Sequence, residues 1–144
     1  MIHRANIEDA ATVAQLAAAL WPSNTAEAFT AEYETLLADR NAAVFLCQVE
    51  GATVGFAQCQ LRNDYVEGTE TSPVGYLEGI FVAEGHRMQG YAGELLAACQ
   101  QWAKEQGCTE FASDCELHNT QSLAFHLRCG FQEANRIICF TKKI

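Results

Sequence analysis

The stretch GHRMQGYAGELL, residues 85–96, decides the fold, because it joins an apolar segment to an apolar helix through a turn of small residues. The preceding segment YLEGIFV, residues 76–82, has the length and the aromatic and β-branched content of a buried strand. Arg87 is the only lysine or arginine between Arg62 and Lys104, an interval that contains six acids. A strand, a small-residue turn with one cation, and a helix together indicate an anion-binding turn at a helix N-terminus.

Three phosphate-binding patterns compete for this turn. A P-loop fails, because residues 91–92 are Tyr-Ala where a P-loop needs a lysine and a hydroxyl. A dinucleotide fingerprint fails as well, because the glycines at 90 and 93 have the wrong spacing for it. The pattern R-x-x-G-x-A, residues 87–92, remains. By itself this pattern is also that of an ordinary strand-to-helix turn, so its context has to decide.

Length and charge limit the possible functions. The chain has 144 residues, which predicts a single domain over residues 1–144. A net charge of −9 disfavours nucleic acid as a partner and favours a cationic ligand, or simply a soluble acidic surface. The start MIHRANIED lacks the pattern of a signal or transit peptide, and no stretch has the length of a membrane span. We therefore expect a cytoplasmic protein without a membrane partner.

Seven cysteines occur without a C-x-x-C pair. Four of them stand in apolar surroundings and are expected to be small buried side chains in a reducing compartment: Cys47, Cys59, Cys99 and Cys139. This distribution predicts neither a disulfide framework nor a bound metal.

The first half of the chain has the pattern of a strand, two helices and a hairpin. After a short apolar start, Asn6 is a suitable cap for a helix that ends near Pro22, and a second helix is predicted over residues 25–39. Residues 41–61 then predict two strands that turn at Glu50-Gly51.

The second half predicts strands that alternate with helices. The helix after the opening turn has one apolar face, formed by Leu95, Leu96, Cys99, Trp102 and Ala103. Residues 109–114 form a short strand, Asn119 caps a helix that ends at Gly130, and residues 131–143 supply two final strands. The predicted order is β-α-α-β-β-β-α-β-α-β-β, an α/β fold with a mixed sheet.

At this point the sequence resembles the GNAT acetyltransferase superfamily, whose acetyl-CoA motif is the same R-x-x-G-x-A on a strand, turn and helix. The segment NTQSLAFHLRCGF, residues 119–131, resembles the superfamily's other cofactor-contacting segment. The resemblance implies a central, mostly antiparallel sheet flanked by about four helices, with acetyl-CoA as cosubstrate and no metal. The cofactor-binding residues that it implies are Ile80, Phe81, Val82, Arg87, Met88, Gln89, Gly90, Tyr91, Ala92, Gly93 and Asn119.

The resemblance narrows to the aminoglycoside 6′-N-acetyltransferases. Four segments support it: LW at 20–21, DYVEGTETSPVGYLEGIFV at 64–82, CTEFASD at 108–114 and FTKKI at 140–144. It implies transfer of an acetyl group to the 6′-amine of aminoglycoside antibiotics, and a homodimer whose C-terminal strands are exchanged. An acetyltransferase for another cationic amine, such as a polyamine or a peptide N-terminus, and a non-catalytic acyl-CoA sensor are the alternatives.

Acetyl transfer from a thioester needs a deprotonated amine, whereas free alkyl ammonium groups have pKa values of about 10. Glu78 and Asp114 are the candidates for the catalytic carboxylates. We expect them first to bind the substrate cation and second to accept its proton, since a nearby carboxylate favours the ammonium form. A backbone N–H at Phe81 or Val82 is the candidate for oxyanion stabilisation, with direct transfer in a ternary complex. No spacing pairs a cysteine with a base, so a covalent acyl-cysteine step is not expected.

The resemblance also implicates other side chains in the acceptor site. Trp21 and Tyr65 offer flat apolar walls for sugar rings. Asn135 stands where we expect a third carboxylate, which removes one charge from the substrate-binding set. His126 stands where many relatives have a tyrosine general acid, so it is either an acid or a helix residue packed beside Phe125.

Overall fold

A five-stranded sheet in the order β1-β2-β3-β4-β5 runs through the computed structural model, which describes residues 1–144. The strands are β1 (Ile2–Arg4), β2 (Ala42–Val49), β3 (Ala52–Arg62), β4 (Val74–Val82) and β5 (Phe111–Ser113). Each neighbouring pair from β1 to β4 is antiparallel, and β4 with β5 is parallel. The predicted mixed, mostly antiparallel sheet is confirmed.

Four α-helices flank the sheet, as predicted. They are α1 (Ala10–Leu20), α2 (Ala26–Leu37), α3 (Tyr91–Glu105) and α4 (Thr120–Arg128), and single turns of 3-10 helix cover Ile7–Asp9 and Glu84–His86. None of these helices combines the length and the apolar character needed to cross a lipid bilayer.

The helix starts follow from side chains that satisfy free backbone N–H groups. Asn6 Oδ1 accepts a hydrogen bond from the N–H of Glu8 at 2.8 Å, and Asp9 Oδ2 accepts one from the N–H of Asn6 at 2.9 Å. Thr25 Oγ1 accepts from the N–H of Ala28 at 3.1 Å. The predicted cap at Asn6 is thus confirmed on the 3-10 turn that leads directly into α1, and α1 ends before Pro22 as expected.

The hairpin between β2 and β3 turns where the sequence predicted. Glu50 and Gly51 have φ values of 51° and 83°, the two left-handed residues of a tight turn whose twist suits a hairpin. Val49 pairs with Ala52 directly beside the turn. This hairpin places β3 next to β4, the strand on which the site is built.

Each face of the sheet is covered by its own set of helices. The face toward α3 buries the predicted helix positions Leu95, Leu96, Cys99, Trp102 and Ala103 against side chains of β2, β3 and β4. The face toward α1 and α2 buries Val13, Ala14, Ala17, Phe29, Tyr33, Val44, Leu46 and Phe56. The two apolar layers together hold the central strands rigidly in place.

The prediction of two strands over residues 131–143 is wrong for the single chain, in which residues 131–144 form neither helix nor strand. Ile137, Ile138 and Phe140 are 70%, 80% and 87% exposed. Apolar content favours extended backbone locally, but a strand needs a hydrogen-bonding partner, and no strand of this chain pairs with the segment.

The cysteine expectation holds for three of the four positions. Cys47, Cys59 and Cys99 are buried, whereas Cys139 is exposed because it lies in the unpaired C-terminal segment, so that expectation is wrong. All seven cysteines are free thiols. A hydrogen bond with Cys59 and burial raise the pKa of the Cys99 thiol, which keeps it protonated and inert.

Candidate active site

A bulge in the pairing of β3 with β4 sets the direction of Glu78. Gln58 pairs with Gly79 and Cys59 pairs with Leu77, so Glu78 is the extra residue that has no partner across the strand. A bulge of this kind bends a strand and re-aims one side chain. Glu78 therefore leaves the regular alternation of β4, and its side chain is 21% exposed.

The other edge of β4 is mostly uncovered. Only Gly75, Tyr76 and Leu77 pair with β5, which ends at Ser113. Beyond that point residues 78–82 face no strand, so their backbone groups can bind an extended molecule that carries amides. The predicted cofactor residues Ile80, Phe81 and Val82 lie on this stretch.

The turn after β4 connects the end of the strand to the start of α3. Met88 and Gly90 have φ values of 63° and 88°, and no side chain caps the helix that begins at Tyr91. The N–H groups of the first helical turn are therefore available to an anion. The predicted residues 88–93 all lie on this turn and first helical turn.

Arg87 connects the turn to the strand. Its Nε donates to the carbonyl oxygen of Val82 at 2.8 Å, and its guanidinium carbon lies 5.8 Å from the centroid of the Phe81 ring. Arg87 is exposed, and its remaining N–H donors have no partner among the hydrogen bonds of the structure. The structure thus places Arg87 at the junction of the free β4 edge and the uncapped helix start.

Asn119 lies at the start of α4. Its Oδ1 accepts a hydrogen bond from the N–H of Ser122 at 3.1 Å, which makes it the N-cap that the sequence predicted. The side chain is otherwise exposed, so its amide nitrogen is free to donate.

Glu78 also belongs to a connected set of four polar side chains: Arg62, Tyr76, Glu78 and Asp114. Arg62 Nε and Nη2 donate to Glu78 Oε1 and Oε2 at 3.0 and 2.9 Å. The same guanidinium lies 3.4 Å from the centroid of the Tyr76 ring, and the Tyr76 hydroxyl donates to Asp114 Oδ2. The two predicted catalytic carboxylates are thus joined through Arg62 and Tyr76.

Two members of this set, Tyr76 and Arg62, keep their usual protonation states more firmly. Burial and the hydrogen bond to Asp114 raise the pKa of the Tyr76 hydroxyl, so the phenol stays protonated and donates. The hydrogen bond to Glu78 raises the pKa of Arg62, whose charge is also favoured by Asp114. The set therefore contains one fixed cation between two carboxylates.

A cavity of about 350 Å³ opens beside Glu78. It is lined by Trp21, Ser23, Asn24, Phe29, Glu32, Tyr33, Leu36, Gln58 and Glu78. The Tyr33 hydroxyl donates to Gln58 Oε1 at 2.7 Å, and burial raises the pKa of Tyr33, so this wall of the cavity is neutral. The cavity offers an aromatic wall at Trp21 and carboxylates at Glu32 and Glu78, which suits a cationic ring.

Tyr65 and Asn135 lie apart from this cavity. Tyr65 is 78% exposed, and its hydroxyl donates to Glu67 Oε2 at 3.3 Å. Asn135 Nδ2 donates to Glu67 Oε1 at 2.9 Å. Tyr65 also lines a second cavity of about 460 Å³ with Leu61, Arg62, Asn63 and Asp64. Trp21 and Glu78 therefore line one cavity and Tyr65 lines the other, while Asn135 contacts Glu67 in the loop of Tyr65.

His126 is held by the protein at both ring nitrogens. Nδ1 lies 2.7 Å from the carbonyl oxygen of Ser122 and must donate to it, and Nε2 lies 2.8 Å from Ser113 Oγ. The ring also packs against Phe125 and Phe131, with centroids 5.7 and 5.0 Å apart. Both ring nitrogens of His126 therefore contact groups of the protein itself.

Sequence reasoning missed Arg62, Tyr76, Asn24, Glu32 and Gln58. One signal was available for Arg62, which is the only lysine or arginine between Arg40 and Arg87. The others look like ordinary strand and helix residues in the sequence, and only the fold brings them to one place. No group of three or more histidine, cysteine, aspartate and glutamate side chains could hold a metal ion.

The family model for the acetyltransferase (GNAT) family matches residues 11–131, and the chain belongs to that family. Among curated relatives, the aminoglycoside N(6′)-acetyltransferase type 1 of Serratia marcescens is 45% identical over 130 residues, which cover 90% of this chain and 89% of the relative. The protein of the same name from Stenotrophomonas maltophilia is 46% identical over 140 residues, which cover 96% and 90% of the two chains.

Solved structures agree. The aminoglycoside acetyltransferase AAC(6′)-Iy in complex with the bisubstrate analogue CoA-S-monomethyl-acetylneamine superimposes with a TM-score of 0.95 at 38% identity, covering 100% of this chain and 98% of that one. The 6′-N-acetyltransferase AAC(6′)-IG of Acinetobacter haemolyticus gives a TM-score of 0.93 at 39% identity, covering 100% and 99%. These relatives confirm the resemblance that the sequence motifs indicated.

We predict that Gly79→Ala impairs the acceptor side selectively. A Cβ at this position would lie 2.5 and 2.6 Å from ring carbons of Trp21, so the indole must move from the cavity wall. Because overpacking of this kind costs about 1–3 kcal/mol, we expect the acceptor KM to rise about tenfold. Steady-state kinetics measure this change. Acetyl-CoA affinity, measured by calorimetry on the same variant, should stay within about twofold, and an unchanged acceptor KM would contradict the prediction.

Proposed function

We propose that this protein transfers the acetyl group of acetyl-CoA to the 6′-amine of aminoglycoside antibiotics. One observation carries the proposal: β4 presents Glu78, next to a cavity lined by Trp21 and Glu32, immediately before a free strand edge that ends at an uncapped helix start. A cation site and an anion site therefore adjoin on one strand. The curated relatives reported above are named aminoglycoside N(6′)-acetyltransferase, and one solved relative is in complex with the bisubstrate analogue CoA-S-monomethyl-acetylneamine.

The proposed cofactor site lies along β4 and the start of α3. The amides of the pantetheine arm pair with the free edge at Ile80–Val82, and the pyrophosphate accepts from the N–H groups of residues 88–93. Arg87 supplies the one positive charge beside them. Asn119 adds a polar contact from the start of α4.

The proposed chemistry is direct transfer in a ternary complex. The amine nitrogen attacks the thioester carbonyl carbon, a backbone N–H at Phe81 or Val82 stabilises the oxyanion, and the carbon–sulfur bond breaks to release CoA thiolate. Glu78 and Asp114 bind the ammonium group and accept its proton, directly or through water. The leaving thiolate, with a Cys-like pKa of about 8.5, departs without full protonation, so neither His126 nor Ser113 has to supply a proton.

In this proposal the acceptor's sugar rings occupy the cavity beside Glu78 and the cavity beside Arg62. Trp21 forms the wall of one cavity and Tyr65 lines the other. Asn135 contacts the loop of Tyr65 through Glu67, so it contributes an amide instead of a charge there. The acids of that loop attract a polycation to the site at long range.

We also propose a homodimer. The exposed Ile137, Ile138 and Phe140 follow one another within four residues on a segment that pairs with no strand of its own chain. Apolar side chains at such exposure are costly in water, and a second copy of the chain offers a matching segment or sheet edge. Strand exchange at the C-terminus would give residues 131–143 the pairing that the sequence predicted.

The remaining organisation is simple. We propose that residues 1–144 act as one N-acetyltransferase domain, since one sheet links all strands and the family model spans most of the chain. We propose a cytoplasmic location, which suits seven free thiols because the reducing cytoplasm preserves them.

The activity is tested by the release of CoA thiol in the presence of acetyl-CoA and different amines. Aminoglycosides that carry a 6′-amine should give rapid thiol release, whereas analogues with a 6′-hydroxyl, polyamines and short peptides should give little. Mass spectrometry of the product should show one added acetyl group. Rapid turnover of a polyamine or peptide alone would replace the proposed acceptor, and calorimetric binding of acetyl-CoA without turnover of any amine would indicate a sensor.

The carboxylates are tested by Glu78→Gln and Asp114→Asn. Each removes one charge that binds the acceptor ammonium while keeping the side-chain shape, so the acceptor KM should rise at least about tenfold, as expected when a charge-assisted hydrogen bond of about 1.5–3 kcal/mol is lost. Glu34→Gln, an exposed position on α2 outside the site, is the matched control. If both site variants had the kinetics of that control, the assignment of the carboxylates would be wrong.

The dimer is tested by analytical ultracentrifugation. The protein should sediment with twice the mass of one chain, and Ile138→Glu should yield monomers because a buried charge in the interface is strongly unfavourable. Leu117→Glu, at a residue that is 70% exposed and lies outside the C-terminal segment, should leave the dimer intact. A monomeric parent protein at micromolar concentration would refute the proposal.

A further inference from the structure

Arg62 is placed between the two carboxylates of the acceptor site. It pairs with Glu78 through both Nε and Nη2, and its guanidinium stacks on the ring of Tyr76 at 3.4 Å. Tyr76 in turn donates to Asp114. The bidentate pair with Glu78 and the stacking on Tyr76 both fix the position of the Arg62 guanidinium. A flexible surface arginine lacks such a combination of contacts.

The same residue lies between the two cavities. Arg62 lines the cavity that contains Asp64 and Tyr65, and its ion pair ends at Glu78, which lines the cavity that contains Trp21. An acceptor that contacts both Glu78 and the second cavity therefore meets the guanidinium, which contacts the one and lines the other. Arg62 is thus part of the site wall, whichever ring of the acceptor lies nearest to it.

A site with carboxylates alone binds the acceptor ammonium well but hinders its deprotonation. Glu78 and Asp114 attract the ammonium group of the acceptor, but they also stabilise its proton, which must leave before the nitrogen can attack. A cation near the same nitrogen has the opposite effect, since it weakens the ammonium form relative to the free amine. Arg62 is the residue that supplies such a cation in this structure.

We propose that Arg62 is a functional residue of the acceptor site, where its positive charge offsets Glu78 and Asp114 so that the bound ammonium releases its proton more readily. This inference rests on the proposed function. Arg62 weakens binding of the charged acceptor and in return increases the reactive fraction of the bound amine. Arg62 holds the Glu78 side chain in position through the ion pair, and its positive charge acts on the acceptor ammonium.

Other titratable groups face the same region as Arg62. They are Glu32 of α2, Tyr33 of α2, Asp64 and Tyr65 after β3, Tyr76 and Glu78 of β4, and Asp114 after β5. Tyr33 and Tyr76 stay neutral near pH 7, since burial raises the pKa of each hydroxyl. The other groups are carboxylates and the Tyr65 phenol, which carry no positive charge, so Arg62 is the sole cation of the set.

The pair with Glu78 is accessible enough for Glu78 to accept a further partner. The side chains of Arg62 and Glu78 are 43% and 21% exposed, and ion pairs at such exposure contribute little to folding. The incoming ammonium can therefore share Glu78 with Arg62 without unfolding the strand ends. For the same reason, substitution of Arg62 should leave the fold intact, which makes the residue suitable for kinetic tests.

The test compares Arg62→Gln with the parent enzyme on an aminoglycoside that carries a 6′-amine. Loss of the charge should lower the acceptor KM about threefold and lower kcat near pH 7, and the midpoint of the rise of kcat with pH should move up by about one unit. At pH values well above that midpoint, kcat should return to the parent level. Arg62→Lys keeps the charge without the fork, so its pH midpoint should stay at that of the parent.

Arg40→Gln is the matched control, since Arg40 is exposed and lies outside both cavities. It should leave KM, kcat and the pH midpoint unchanged. If Arg62→Gln raises the acceptor KM and leaves the pH midpoint where it is, Arg62 only holds Glu78 in place and the proposal is overturned. Thermal unfolding of each variant should show a folded protein before the kinetics are compared.

A second measurement separates this proposal from the proposed function. Calorimetric titrations of the same aminoglycoside in buffers of different ionisation enthalpy give the number of protons released on binding, without turnover. Near pH 8 the parent should release more protons than Arg62→Gln. Equal release would overturn the role of Arg62 even in an active enzyme. If the parent protein proved inactive but still released more protons on aminoglycoside binding than Arg62→Gln, only the proposed function would be refuted.

Discussion

The unequal pairing of β4 is the constraint on which the rest of the site depends. On one side the strand is hydrogen-bonded to β3 along its length, apart from the bulge at Glu78, and on the other side β5 covers only three residues. The bulge leaves Glu78 without a partner in β3, and the shortness of β5 leaves residues 78–82 without a partner on the other edge. The bulge turns Glu78 toward the cavity lined by Trp21, and the short strand β5 leaves free the edge of β4 that leads to the start of α3.

Charge is divided along this strand. The uncapped start of α3 and Arg87 form a positive region at the end of β4, while Glu78 and Asp114 form a negative region beside the middle of the strand. An enzyme that joins an anionic cosubstrate to a cationic acceptor needs this separation, because each ligand would otherwise be attracted to the other's place. Arg62 is the exception, a cation within the negative region, and its position is fixed by the pair with Glu78 and by Tyr76.

Most of the fold could be predicted from short-range patterns. The apolar face of α3, the cap at Asn6 and the hairpin at Glu50-Gly51 each depend on residues within about two helical turns of one another. The strands predicted over residues 131–143 failed for the opposite reason, since pairing depends on a partner that the single chain does not provide.

The sequence by itself determined most of the element types, the strand, turn and helix around Arg87, and the family, because each of these depends on the spacing of residues along the chain. Only the tertiary structure decided that Arg62 pairs with Glu78 and that Tyr76 reaches Asp114, contacts between residues 16 and 38 positions apart. The physical reason is register: the bulge opposite Gln58 and Cys59 sets which side chains meet across β3, β4 and β5, and no local pattern specifies it.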